Sequence, residues 1–143
     1  MNLLKLNKNL LYLLTVLEAI EKIWIYTQSF SNAATFFEAN NQKEFNATLN
    51  LLIAIGEESK KIDAELKHAT STLDWTAIAT LRNELSHNYR GVDPDIIWDI
   101  VQYHLNPLKQ ACLELLPKVN PGTEILNKVL ESRYYCNIQY LKN

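Results

Sequence analysis

Leu6, Leu10, Leu13, Leu17, Ile20 and Trp24 recur at steps of three and four, the spacing at which side chains line one face of an α-helix. The pattern predicts a long helix over about 3 to 28 with that stripe turned into a core. Lys5 and Lys8 precede the apolar stretch Leu10 to Leu17 much as basic residues precede the hydrophobic part of a secretory signal. The stripe nevertheless continues past Glu18 and Glu21, and no pair of small residues stands where a leader would be cut. No run approaches the ~20 apolar residues of a membrane-spanning helix. A soluble chain with no membrane partner is expected.

A second stripe of Phe45, Leu49, Leu52, Ile55, Ser59, Ile62 and Leu66 predicts a helix over about 42 to 67, with Glu57, Glu58, Lys60 and Lys61 largely on its other face. Gly56 lies inside it. An interior glycine costs a helix about 1 kcal/mol relative to alanine, so this one marks a close crossing with another element. Between the two stripes, Ser29, Ser31 and Asn32 interrupt the pattern, Phe36 and Phe37 suggest a short helical turn, and Asn40 and Asn41 break it again.

Downstream, Asp74 is an N-cap for a helix over about 75 to 89, which Gly91 is placed to end. Asp93 and Pro94 repeat the start signal for a helix through Ile96, Ile97, Ile100, Val101, Leu105 and Leu108, with a kink expected at Pro107. Pro117 and the run Asn120, Pro121, Gly122 end it. Ile125, Leu126, Val129, Leu130 and Ile138 then suggest a last helix at about 123 to 141. No segment alternates with period two. These patterns imply an all-α, antiparallel bundle of about five helices, as a single domain over 1–143.

Charge and cysteine narrow the function classes. Fourteen basic and sixteen acidic residues give a formal net charge of -2, so bulk attraction to nucleic acid or anionic membrane is excluded and an anionic ligand must be held locally. Cys112 and Cys136 form neither a disulfide framework nor a zinc-spaced cluster. A reducing cytoplasm fits that usage.

Against this ordinary background, one run is polar beyond its position: Arg82, Asn83, Glu84, Leu85, Ser86, His87, Asn88, Tyr89, Arg90. Arginine offers phosphate a fixed fork of donors, and histidine titrates where it can take a proton from a ribose 2′-hydroxyl or give one to a leaving oxygen. The quieter reading makes Arg82 a surface ion pair with Glu84 or Asp93, His87 a cap at the helix end and Tyr89 a packing residue. The residues alone leave both open.

Arg82, four residues, His87, one residue and Tyr89 resembles the RX4HXY motif of HepT-like toxins in the HEPN superfamily. LIAIGEESKK, Leu52 to Lys61, is similar to that family's glycine and glutamate segment, and Gly91, Val92, Asp93 and Trp98 resemble the stretch downstream of its motif. The resemblance implies a small helical domain that forms a homodimer and cleaves RNA without metal or cofactor. It implies Arg82 and His87 as the catalytic pair, Asn83 as their polar companion, and silencing by an MntA-like nucleotidyltransferase antitoxin that attaches AMP to Tyr89. A noncatalytic partner that presents substrate or nucleotide to such an enzyme is the alternative.

Helical geometry adds a constraint. Residues five apart diverge by about 140° around the axis and about 7.5 Å along it. Either the last turn leaves α geometry, or the site is assembled from two copies across a twofold axis, the arrangement expected here. Asn83 and His87, four apart, share a face, as do Arg82 and Tyr89. AMP on Tyr89 would then bring phosphate charge to Arg82 and compete with the RNA.

Arg90, Lys60 and Lys61 are the RNA-binding candidates, since they must make a groove locally positive. Glu57 and Glu58 lack a His or Asp at i+3 or i+4, so no metal site is expected. His104 is read as structural, His68 as solvated, and Trp24, Trp75 and Trp98 as core.

Overall fold

The first stripe forms α1 (Leu3–Thr27), which leads into a short α2 (Ala33–Glu38). The computed structural model describes residues 3–70 and 73–142; the side chains of residues 3–7, Leu6 among them, and of Tyr89 lie outside that description. Leu10, Leu13, Leu17 and Ile20 are all buried, and Trp24 packs at the edge of the same core. Among the described residues there is no strand.

The connection after α2 is a turn in which Asn40, Asn41 and Gln42 all take left-handed backbone, with φ of 51°, 55° and 66°. Asparagine tolerates that region better than most residues, and Asn40 anchors the turn by donating to Glu44 at 2.9 Å. α3 (Lys43–Lys61) follows. Phe36 closes this end of the bundle, with ring centroids 5.5 Å from Phe45 and 5.5 Å from Trp98.

The second stripe is wholly buried, yet its helix breaks before the predicted end at about 67. Ile62 turns extended, and α4 (Ala64–His68) restarts after it. The cause lies in α1: the buried Asn9 accepts from the Asp63 amide at 3.1 Å and donates to its carboxylate at 3.1 Å. A tertiary hydrogen-bond pair thus replaces one helical turn. With Lys61 over the Tyr12 ring and Leu51 and Ala54 facing Ala19 and Lys22, α1 and α3 run antiparallel.

Asp74 caps α5 (Trp75–His87) by accepting from Thr76 and Ala77 at 3.0 and 3.2 Å, as its sequence position indicates. The helix ends at His87 rather than about 89. Asn88 leaves helical geometry at φ -132°, ψ 45°, and a 3₁₀ turn covers Tyr89–Gly91. Gly91 is therefore not the helix stop. It packs against Asn88, whose Oδ1 would lie 2.7 Å from any Cβ added there.

Asp93 caps α6 (Pro94–Asp99) by accepting from Asp95 at 2.9 Å. A π-helical turn, Ile100–His104, joins it to α7 (Leu105–Val119). The kink expected at Pro107 takes this form: the ring has no N–H to offer Tyr103 and crowds its carbonyl, and the wider turn just before it absorbs the misfit. Pro117 sits inside the last turn of α7.

α8 is shorter than expected, Thr123–Val129 rather than about 123 to 141. The tail turns back instead. Asn137 donates its amide and its side chain to the buried Glu18 carboxylate of α1 at 2.7 and 2.6 Å, and Gln139 satisfies the carbonyls of Leu130 and Tyr135. Charge-assisted bonds of this kind are about twice as strong as neutral ones.

Gly56 marks a close approach of two helices. A Cβ there would lie 2.2 Å from Arg82 Cβ and 2.8 Å from Arg82 Cγ, so α3 and α5 cross at these two residues. Gly56→Ala is expected to lower stability although alanine is the better helix former by about 1 kcal/mol, because forced overpacking costs about 1–3 kcal/mol. Thermal unfolding should show a net drop of a few degrees; a rise would show that the helices do not meet so closely.

Candidate functional site

α5 carries the motif and is lightly held. Among its described side chains only Leu85 is buried, with Trp75, Ile78 and Leu81 half-buried. Its position rests on α3, against which it lies antiparallel: Gly56 meets Arg82, while Lys60 faces Thr76 and Ala79.

The Arg82 stem is wedged against Gly56 and its head is held by two side chains. The guanidinium pairs with Glu57 of α3. It also donates to Asn83 Oδ1 at 3.0 Å, and its Nε is buried without a partner. The expected partners Glu84 and Asp93 are replaced by Glu57. Sequence reasoning missed this counter-ion, although its signal was present: a carboxylate next to the glycine that marks the crossing.

His87 is exposed on the outward side of α5. Because the helix stays α-helical through His87, Arg82 and His87 diverge within one chain by the full five-residue angle. The last turn before Gly91 does leave α geometry, but only from Asn88 onward, past both residues, so the departure does not bring them together. Two further expectations change. The Asn83 amide oxygen serves the guanidinium, where its spacing points to the His87 ring. Tyr89 lies beyond α5, so the seven-residue spacing that would align it with Arg82 on a helix does not apply; its side chain is outside the described residues.

The three basic candidates are not brought together. Lys61 turns toward α1, paired with Glu58 at 3.1 Å and 5.7 Å from the Tyr12 ring centroid, and the Glu58 hydrogen bond raises its pKa. Lys60, 100° around the helix, opens onto the α5 side. Arg90 is exposed in the 3₁₀ turn after α5. His104 lies in the π turn and, with Ile78, Leu81 and Ile100, lines a separate, largely apolar groove of about 410 Å³.

Among the described residues no three His, Cys, Asp or Glu side chains group as metal ligands, and no helix is long and apolar enough to cross a membrane. Cys112 is buried, and loss of water pushes its thiol up to about 12. The site offers an oriented cationic fork and, on another face, an accessible imidazole.

Residues 16–115 match the model of the HepT-like ribonuclease family. The chain is 33% identical over 100 residues to a protein of Thermococcus cleftensis named "Probable ribonuclease HepT", which covers 68% of this chain and 86% of that one. It is 27% identical over 110 residues to a gamma-glutamylcyclotransferase and candidate RNase of Methanocaldococcus jannaschii, covering 77% of this chain and 48% of that protein. It thus spans about half the length of that relative. A third similarity, 26% over 113 residues, is to a candidate RNase of the same organism and covers 79% of this chain and 91% of the relative. No solved structure matches the chain.

The Arg82 and Glu57 side chains are partly exposed, at 29% and 38%, so their pair should act as an orienting contact rather than a major source of stability. A double-mutant cycle with Arg82→Gln and Glu57→Gln, read by urea unfolding, is expected to give a coupling of about 0.2–1 kcal/mol. Zero coupling would show that the guanidinium is not held by Glu57 in solution.

Proposed function

The chain belongs to the HepT-like ribonuclease family, and from that premise we propose that it is a metal-independent endoribonuclease acting in the cytoplasm as the toxin of a toxin and antitoxin pair. The observation that carries this reading is the divergence of Arg82 and His87 on one regular helix. Each chain offers a fork fixed against α3 and an imidazole facing outward, which supports a site completed by a second copy: Arg82 of one beside His87 of the other across a twofold axis.

In that site His87 takes the proton of a ribose 2′-hydroxyl as its oxygen attacks phosphorus. The guanidinium of Arg82 stabilises the charge that gathers on the pentacoordinate phosphate. The P–O5′ bond breaks, the 5′-oxygen leaves with a proton delivered by an imidazolium, and a 2′,3′-cyclic phosphate remains. Glu57 and Asn83 are positioning residues, which keep the fork aimed without touching RNA. Single-stranded or looped RNA is the substrate class, because an attacking 2′-oxygen must come in line with the leaving oxygen and a rigid duplex resists that.

Regulation follows the family pattern in the same proposal. An MntA-like nucleotidyltransferase attaches AMP to Tyr89, which stands in the turn after α5 between the exposed Asn88 and Arg90. The added phosphate brings negative charge to the end of the helix that carries the catalytic pair, where it repels RNA. Intact mass of the chain coexpressed with its antitoxin reads this directly, as one adenylyl step that Tyr89→Phe removes.

Arg82→Ala and His87→Ala are each expected to abolish cleavage of single-stranded RNA while leaving helical content unchanged. Coexpressed, the two variants should recover roughly a quarter of wild-type activity, since half of randomly mixed dimers are mixed and each of those holds one intact site of two. No recovery from folded, dimeric mixtures sinks the shared site. Full cleavage by His87→Ala alone refutes the role given to His87, and a folded wild-type dimer that cleaves no RNA leaves the noncatalytic role of presenting substrate to a nucleotidyltransferase.

A further inference from the structure

Where α3, α4 and α5 meet, an open cavity of about 580 Å³ is lined by Lys60, Lys67 and His68 together with Thr70, Trp75 and Thr76. It brings the side chains of Lys60, Lys67 and His68 to one hollow. Asp74 also lines it, but its Oδ1 is engaged by the amides of Thr76 and Ala77. Lys67 is fixed rather than free: its ammonium donates to the Ser59 carbonyl at 3.1 Å, and burial lowers its pKa. The Trp75 indole is likewise held, donating to Thr70 Oγ1 at 2.9 Å. Two basic groups and an aromatic ring thus face one hollow on a prepared frame.

The cavity lies along the same two helices, α3 and α5, that cross at Gly56 and Arg82. Lys60 is one turn of α3 beyond Glu57, the residue that pairs with Arg82, and on α5 Ala79 and Thr76 lie one and two turns before Arg82, about 4.5 and 9 Å along the axis. We propose that this cavity is a subsite for the phosphate and base of a nucleotide flanking the scissile one, so that an RNA strand runs along the α3/α5 groove from Arg82 to Trp75. Lys60 and Lys67 take the phosphate, and the indole takes the face of the base. The inference rests on the nuclease reading, and it assigns a role to Lys67 and Trp75, which lie outside the motif.

The test uses full-length His87→Ala protein, which holds RNA without cutting it, and a fluorescent single-stranded oligoribonucleotide titrated at several salt concentrations. Lys60→Gln with Lys67→Gln is expected to weaken binding at least tenfold and to reduce the slope of log affinity against log salt by about 0.7, the value for one phosphate contact on a single strand. Lys60→Gln alone should give half that slope change; Lys60 is exposed, so this variant keeps the fold. In the cleaving protein Lys60→Gln should raise KM with kcat unchanged. Unaltered affinity and slope overturn the subsite. So does AMP alone binding at Lys60 while oligonucleotide affinity ignores the substitutions, which would make the cavity a mononucleotide pocket. A wild-type chain that binds RNA through these lysines yet never cleaves it leaves the subsite standing and defeats the nuclease instead.

Discussion

The geometry of the motif depends on a missing side chain. Gly56 has no Cβ, so α5 settles against α3 at a distance where the Arg82 stem fills the space a methyl group would occupy. The arginine is at once a packing residue and a charged one: its methylenes form the crossing, and its head reaches past the crossing to Glu57 and Asn83. A long flexible side chain normally loses considerable rotamer entropy when it must be held in one place. Here the fold meets that requirement through the helix contact itself, and the guanidinium is aimed before any ligand arrives.

This also explains why so lightly buried a helix keeps its place. α5 contributes one fully buried side chain among those described, whereas α1 contributes a nearly continuous buried face. The bundle is therefore a rigid pair, α1 on α3, with α5 laid over it. The C-terminal tail strengthens the same pair from the far side, through Asn137 on Glu18 and through the Lys109, Glu21 and Tyr140 contacts, where burial first and Glu21 second push the Tyr140 phenol up to about 12. Residues beyond 115 lie outside the family match, and the tail among them acts here as a clamp on α1.

Legibility in the chain sorts by the range of the interactions involved. Stripes, caps and breakers are local, so the buried faces of α1 and α3, the Asp74 and Asp93 caps and the asparagine turn all follow from spacing and side-chain chemistry. Gly56 is legible for the same reason, as a local penalty in need of a partner. Two ends are not, because each is set by a residue far away in sequence: Asn9 breaks α3 at Asp63, and Glu18 turns the tail at Asn137. The site divides likewise. Arg82, His87 and Asn83 stand in one run, but Glu57 enters it only through the crossing, and Lys60 parts from Lys61 because neighbours on a helix point 100° apart.

Glu57 raises a question of balance, since a guanidinium already paired with a carboxylate has less to offer a phosphate. The magnitudes settle it. A partly exposed pair is worth about 0.2–1 kcal/mol, whereas charge-assisted hydrogen bonds to a phosphate are stronger and bidentate. An arriving phosphate therefore needs only to share or displace a weak partner, while in its absence that partner prevents the fork from wandering into solvent. A stronger, buried counter-ion would hold the arginine just as well and would also hold it back, so the partial exposure of Glu57 suits the proposed reaction better than burial would.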